Sequence, residues 1–309
     1  MTRILITGAS GLLGLNLALD AARTHEIIGV DRNTLAGVPF KVISTDLLAP
    51  NAVYRVLTES HPEAVIHCAA LANLDACEAD PNLARQVNAE LPARFADECA
   101  RRKIRLIHIS TDAVFDGQKD GYYTEGDAPN PVGIYAATKY EGERAVLQIN
   151  SLAIVARVNF YGWSLNGRRS LAEFFVNNLS NGKNVNGFTD VIFCPMWVNH
   201  LGTLLIQMLD RGLRGLYHAV GAQAMSKYQF GVEIARKFGL RESLISPQSV
   251  ETSDLTAQRS HNLWLSTHKL STDLGVTIPD FSTGLNEFYT QYQQGYPQKI
   301  RSYSQERAE

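Results

Sequence analysis

Three glycines spaced three apart, Gly8, Gly11 and Gly14, constrain this chain more than any other feature. They follow a short apolar run, Arg3–Thr7, that reads as a buried strand, and they open an apolar stretch at 11–23 that reads as a helix. Glycines in such a strand-to-helix turn let the chain fold tightly, let a pyrophosphate approach the backbone and let the helix pack close to the sheet. The helix N-terminus adds free N–H groups and a positive dipole end. Gly8, Ser10, Gly11, Leu12, Leu13 and Gly14 are therefore the candidate phosphate-binding residues. Asp31 follows at the end of a second apolar run, 26–30, where a carboxylate can accept hydrogen bonds from an adenosine ribose. That position favours NAD, because a carboxylate repels a 2′-phosphate. Arg32 beside it could pair with one, so NADP stays open.

The first half of the chain repeats the alternation that the loop begins. Strands are expected at 41–44, 64–68, 104–110 and 152–158. Helices are expected at 51–60, from Pro81 through Arg102, and at 132–150. Short β-branched strands separated by helices predict an α/β, Rossmann-type doubly wound parallel sheet. Beyond 160 the pattern loosens. Helices at 171–179, 198–209 and 227–238 and a strand at 215–219 suggest a smaller lobe. The expected division is a dinucleotide-binding domain at 1–160 and a mainly substrate-binding lobe at 161–298, with the chain free to cross back. A polar tail at 299–309 is expected to fray.

The reaction chemistry is suggested by Tyr135 and Lys139, four apart on the 132–150 helix and so on one face. A phenol of ordinary pKa near 10 is a poor base at neutral pH, and a nearby ammonium stabilises its phenolate. Such a tyrosine can exchange a proton with a sugar or alcohol oxygen while hydride moves at the adjacent carbon. Thr111, just past the 104–110 strand, can hold the same oxygen. The loop from 111 to 131 is longer than a passive connection needs.

These residues carry a resemblance. TGASGLLG (7–14), HCAA (67–70), ISTDAVFDG (109–117), PNPVGIYAATKYEGE (129–143) and RVNFYG (157–162) follow in the order found in extended short-chain dehydrogenase/reductases. The chain most resembles the dTDP-4-dehydrorhamnose reductases, which reduce a 4-keto group on a nucleotide-linked 6-deoxy sugar. The resemblance implies that Asp46 and Leu47 flank the adenine, and that Ala69, Ala70 and Leu71 line the nicotinamide ribose. It implies that Asn88 supports the lysine through water, and that Phe160 and Tyr161 lie near the nicotinamide and substrate. It leaves room for a homodimer through the two long helices containing Asn88 and Tyr135. Ala113 stands where the family usually has an aromatic residue. Dehydratases of the superfamily carry Asp-Glu at 112–113, and the missing glutamate disfavours dehydration. Asp112 and Arg157 join Thr111 and Tyr135 as candidate substrate contacts. Arg168, Arg169 and Lys183 are candidates to meet a substrate pyrophosphate. Trp163 and Trp197 are candidates to stack on a base or sugar, with core packing the stronger reading for Trp197.

The catalytic set is thus Thr111, Tyr135 and Lys139, acting on a nucleotide sugar. Two other functions stay open: an epimerase with tightly held NAD, and a non-catalytic subunit like the regulatory subunit of methionine adenosyltransferase. Composition narrows the partners. With Lys and Arg totalling 29 against 31 Asp and Glu, no excess positive field exists to drive binding to nucleic acid or an anionic membrane. No apolar run approaches the ~18 residues of a membrane span. The four cysteines form no CxxC pair and the eight histidines no zinc spacing, which suggests a reduced cytoplasmic protein without a metal.

Overall fold

The computed structural model describes residues 1–253 and 260–304. The glycine turn joins β1 (Arg3–Thr7) to α1 (Leu12–Ala21), and β2 (Glu26–Asp31) and β3 (Lys41–Ser44) follow. Next come α2 (Ala52–Ser60), β4 (Ala64–His67), α3 (Leu74–Ala79), α4 (Pro81–Arg85) and α5 (Leu91–Arg102). After β5 (Arg105–Thr111), α6 (Gly133–Ile149) and β6 (Ile154–Val158), the chain forms α7 (Leu171–Ser180), α8 (Val198–Asp210) and α9 (Lys227–Phe238).

Seven strands form one parallel sheet in the order Gly215–Ala219, β6, β5, β4, β1, β2, β3. The order reverses between β1 and β4, so a crevice opens there at the carboxyl ends of the strands. Both faces are covered, which is why β4 and β6 are buried at every residue. One apolar core holds α1 and α8 against the sheet; a second, on the opposite face, holds α2 and α5. Helix α1 is apolar around most of its circumference because it lies between sheet and α8. Helix α5 instead buries Leu91, Phe95, Ala96 and Cys99 and turns Asp97 and Arg101 to solvent. Residues 198–219 return to this body, as α8 and then the seventh strand.

The expected helix from Pro81 to Arg102 is not one continuous α-helix. A π-helical turn, Gln86–Glu90, interrupts it, and α3 precedes it. The π turn pushes the Asn88 carbonyl towards α6. A Cβ on Gly142 would lie only 2.2 Å from that oxygen, so α6 can pass only because residue 142 has no side chain.

The remaining chain packs short strands and helices around aromatic rings. Phe160–Tyr161 pairs with Met196–Trp197, and Val185–Phe188 pairs with Ile245–Gln248. Trp163 stacks on Phe288 with centroids 4.1 Å apart, and Tyr161 meets Phe230, Phe281 and Phe288 edge-on. The tail expected to fray from 299 is ordered as far as it is described. Lys299 lies in the helix Tyr296–Arg301, Tyr303 is buried, and Ser304 bridges to Leu35. Residues 305–309 lie outside the described residues.

Candidate active site

The glycine turn has the shape a dinucleotide requires. Gly8 has φ +66°, and a Cβ on Gly11 or Gly14 would stand 2.9 or 2.1 Å from the Gly8 carbonyl oxygen. No side chain caps α1 at Gly11, and its first turn holds no acidic residue. Its leading N–H groups therefore stay available to an anion. At the end of β2, Asp31 accepts from the backbone N–H of Ser10 at 2.9 Å and of Asn33 at 3.0 Å. The Asn33 amide donates to Ser10 Oγ at 3.2 Å, joining the acid to the turn. Arg32 and Asp46 are exposed, and Leu47 is buried.

Across the crevice, Thr7 Oγ1 accepts from Ala69 N–H at 3.1 Å and lies 2.8 Å from His67 Nδ1. This ties the stretch after β4 to β1. Leu71 is gripped by Asn88, whose Oδ1 accepts from Leu71 N–H at 2.9 Å and whose Nδ2 donates to Leu71 O at 3.0 Å. That amide also donates to Thr138 Oγ1 at 3.3 Å. The Asn88 side chain is thus engaged in holding Leu71 against α6.

Thr111 ends β5, and Tyr135 and Lys139 lie one turn apart on α6. Glu78 on α3 fixes the start of α6 by accepting from Ile134 N–H at 2.8 Å. Lys139 is buried to 2% exposure, and its ammonium donates to Ile109 O at 2.7 Å. Burial lowers its pKa to about 8, against the opposing pull of Glu143 and Cys68. One of its three N–H groups serves Ile109, which suits an amine that also holds a ribose hydroxyl. Tyr135 is half-buried, and loss of water contact pushes its phenol up to about 12; a hydrogen bond with Thr111 opposes the rise and the Asp112 charge adds to it. Desolvation therefore dominates, and the phenol lies above its ordinary value, not below it as the YxxxK spacing suggested. The glycine cradle, the carboxylate at β2 and the buried amine together fit a nicotinamide dinucleotide.

Asp112 is buried, and burial raises it to about 6, against hydrogen bonds from Asn159 and Thr111 and the charge of Lys227. Asn159 Nδ2 donates to Asp112 Oδ2 at 2.6 Å, and Thr111 Oγ1 donates to Asp112 Oδ1 at 3.2 Å. Sequence reasoning missed Asn159, Asn33 and Lys227. For Asn159 a signal existed, since it lies inside the RVNFYG piece.

Several expected contacts are corrected. Arg157 is 2% exposed and held by Glu143 at 2.7 Å, with Phe115 beneath its guanidinium, so it is not placed to meet a substrate. Tyr161 and Trp163 are core residues; Trp197 is buried against His200, in line with core packing, the stronger reading for it. Phe160 is half-buried against the core, whereas exposure of Ala70, Arg168, Arg169 and Lys183 is compatible with the contacts expected of them. A surface cleft of about 380 Å³ beside Tyr122, Trp264 and His268 shares none of these site residues. Among the described residues no helix is long and apolar enough to cross a membrane.

Comparison with known proteins finds relatives over nearly the whole chain. A family model described as the RmlD substrate binding domain matches residues 1–294. A probable low-salt glycan biosynthesis reductase, Agl14, of Haloferax volcanii is 31% identical over 285 residues, covering 91% of this chain and 95% of that protein. The methionine adenosyltransferase 2 subunit beta of Bos taurus is 32% identical over 294 residues, covering 92% of this chain and 86% of that protein. Among solved structures, the dTDP-4-dehydrorhamnose reductase of Bacillus anthracis in complex with NADP superposes with a TM-score of 0.85. It is 26% identical and covers 94% of this chain and 99% of that one.

Proposed function

This chain belongs to the RmlD substrate-binding-domain family of extended short-chain dehydrogenase/reductases, and on that premise we propose that it reduces the 4-keto group of a nucleotide-linked 6-deoxy sugar. The observation that carries this reading is the grouping of Thr111 at the end of β5 with Tyr135 and buried Lys139 on α6. Binding alone does not require those three side chains together.

A reduced nicotinamide, when bound, supplies the hydride. With its phenol near 12, Tyr135 is protonated at neutral pH and gives that proton to the carbonyl oxygen as the oxygen gains negative charge. Lys139, anchored by the Ile109 carbonyl, holds the ribose hydroxyls and sets a positive charge nearby. Thr111 orients the Tyr135 hydroxyl. NAD is preferred in this reading, because Asp31 stands where a 2′-phosphate would be repelled. Titration of both cofactors tests the preference, and NADP binding at least ~10-fold tighter, about 1.4 kcal/mol, reverses it.

The deciding experiment is a screen of nucleotide-linked 4-keto-6-deoxy sugars, followed by absorbance at the reduced-nicotinamide band. Consumption of NADH or NADPH with one of them is expected. A second reading, a regulatory subunit, is favoured by the likeness to the methionine adenosyltransferase subunit. It gains if no sugar is reduced and a partner is retained in pull-down. Pairing of two copies through the helical stretches containing Asn88 and Tyr135 belongs to the main reading, and a monomeric mass by light scattering at micromolar concentration removes it.

A further inference from the structure

The segment after Phe160–Tyr161 runs alongside the first turns of α1. Asn16, buried in that helix, donates to the Trp163 carbonyl at 2.9 Å. A Cβ on Gly162 would stand 3.5 Å from Leu12 Cδ1. The turn that follows is wound around one carboxylate. Glu173 is fully buried and accepts from the backbone N–H groups of Ser164 at 2.7 Å, Arg169 at 3.0 Å and Ser170 at 3.2 Å. The Ser164 hydroxyl donates to it at 2.7 Å. The Ser170 side chain donates to the Gly162 carbonyl at 2.8 Å and closes the turn.

This turn delivers Arg169 to the glycine loop. Its Nη1 lies 3.9 Å from where a Cβ on Gly11 would stand. Among the described residues no carboxylate lies within 4 Å of that guanidinium. Glu173 is occupied by the turn's own donors, so the cation is left facing the uncapped end of α1. Two cationic features side by side, a helix N-terminus and an arginine without an acidic partner, suit a group with two anionic phosphates.

We propose that Arg169 closes the pyrophosphate site of the dinucleotide from beside Gly11, so that the second half of the chain contributes directly to cofactor binding. The inference rests on the dinucleotide reading above. It assigns Arg169 to the cofactor's pyrophosphate and away from the substrate's, because its neighbour is Gly11.

The test is equilibrium binding to the purified protein, by nucleotide fluorescence or calorimetry. Wild type is compared with Arg169→Ala, Arg169→Lys and, as control, the adjacent exposed Arg168→Ala. The probes are NADH, NADPH, ADP-ribose and adenosine. We expect Arg169→Ala to weaken NADH, NADPH and ADP-ribose alike by about 10-fold and to leave adenosine unchanged. Arg169→Lys should recover part of the loss, and Arg168→Ala should stay near wild type. Unchanged binding in Arg169→Ala overturns the inference. So does a loss confined to NADPH, which would mark a 2′-phosphate contact, or one confined to the KM of the nucleotide sugar. If wild type binds none of the three phosphorylated probes, the dinucleotide reading fails and the inference with it.

Discussion

The Thr111 hydroxyl has a single proton, and in this structure it points at Asp112 Oδ1, 3.2 Å away. The same oxygen accepts from Ala113 N–H at 3.2 Å. A proton given to Asp112 cannot also be given to Tyr135 or to a substrate oxygen. The charge of Asp112 reaches Tyr135 through space and raises the phenol's pKa, against the lowering by its hydrogen bond with Thr111.

Asp112→Asn should accordingly lower it. Reduction requires protonated Tyr135, so the rate falls as pH rises through the phenol's pKa. The basic limb of the kcat/KM profile should move to lower pH in the variant. An unmoved or raised limb would show that Asp112 does not act on Tyr135.

Tyr135→Phe and Lys139→Met should each cost about 10²–10⁴-fold in turnover of the 4-keto sugar. Both replacements keep most of the side-chain volume. Circular dichroism should be unchanged, and near-wild-type rates in both would remove the proton-transfer assignment.

Arg157 and Glu143 form a buried ion pair with contacts of 2.7–3.2 Å. Arg157→Met strands the Glu143 carboxylate and should destabilise the fold by about 3–5 kcal/mol. Adding Glu143→Leu should restore a good part of that, because the pair is replaced by apolar volume. Urea denaturation of both variants measures the difference, and equal loss in single and double variants would show that the pair is not the cause.

Three buried histidines should make the fold acid-sensitive. Burial lowers His67 and His218 to about 3, and His108 well below its usual value. The unfolded chain then binds more protons than the folded one below the ordinary pKa near 6.5, so stability falls as pH drops from there towards 3. Each histidine contributes about 1.4 kcal/mol per pH unit in that window. Asp112, raised to about 6, works in the opposite sense between 6 and its ordinary value near 3.8. Neither ring nitrogen of His108 has a hydrogen-bond partner. His108→Leu should flatten the slope of unfolding free energy between pH 6.5 and 5, and a slope as steep as wild type would count against this account.

Local signals were legible wherever one stretch of chain decides its own structure. Arg3–Thr7, Lys41–Ser44, Gly215–Ala219 and Lys227–Phe238 form as their apolar patterns predict. The glycine cradle and the one-turn spacing of Tyr135 and Lys139 are likewise written in consecutive residues. What escaped depends on distant partners. The π turn at Asn88 lies against Gly142 of α6, 54 positions later, a contact that no local stretch of sequence reveals. Arg157 reads as a free cation until Glu143 is seen beside it. Asn159 lies in the RVNFYG piece, but its contact with Asp112 appears only when the ends of β5 and β6 come together.

The return of residues 198–219 has a consequence for anyone who would cut this protein in two. Severed after residue 160, the amino-terminal fragment would keep the glycine loop, Tyr135 and Lys139, yet β6 would become a bare sheet margin and α1 would lose α8, its outer cover. Such a fragment invites strand-to-strand self-association rather than independent folding. The later residues that complete the sheet make the nucleotide-holding half a product of nearly the whole polypeptide.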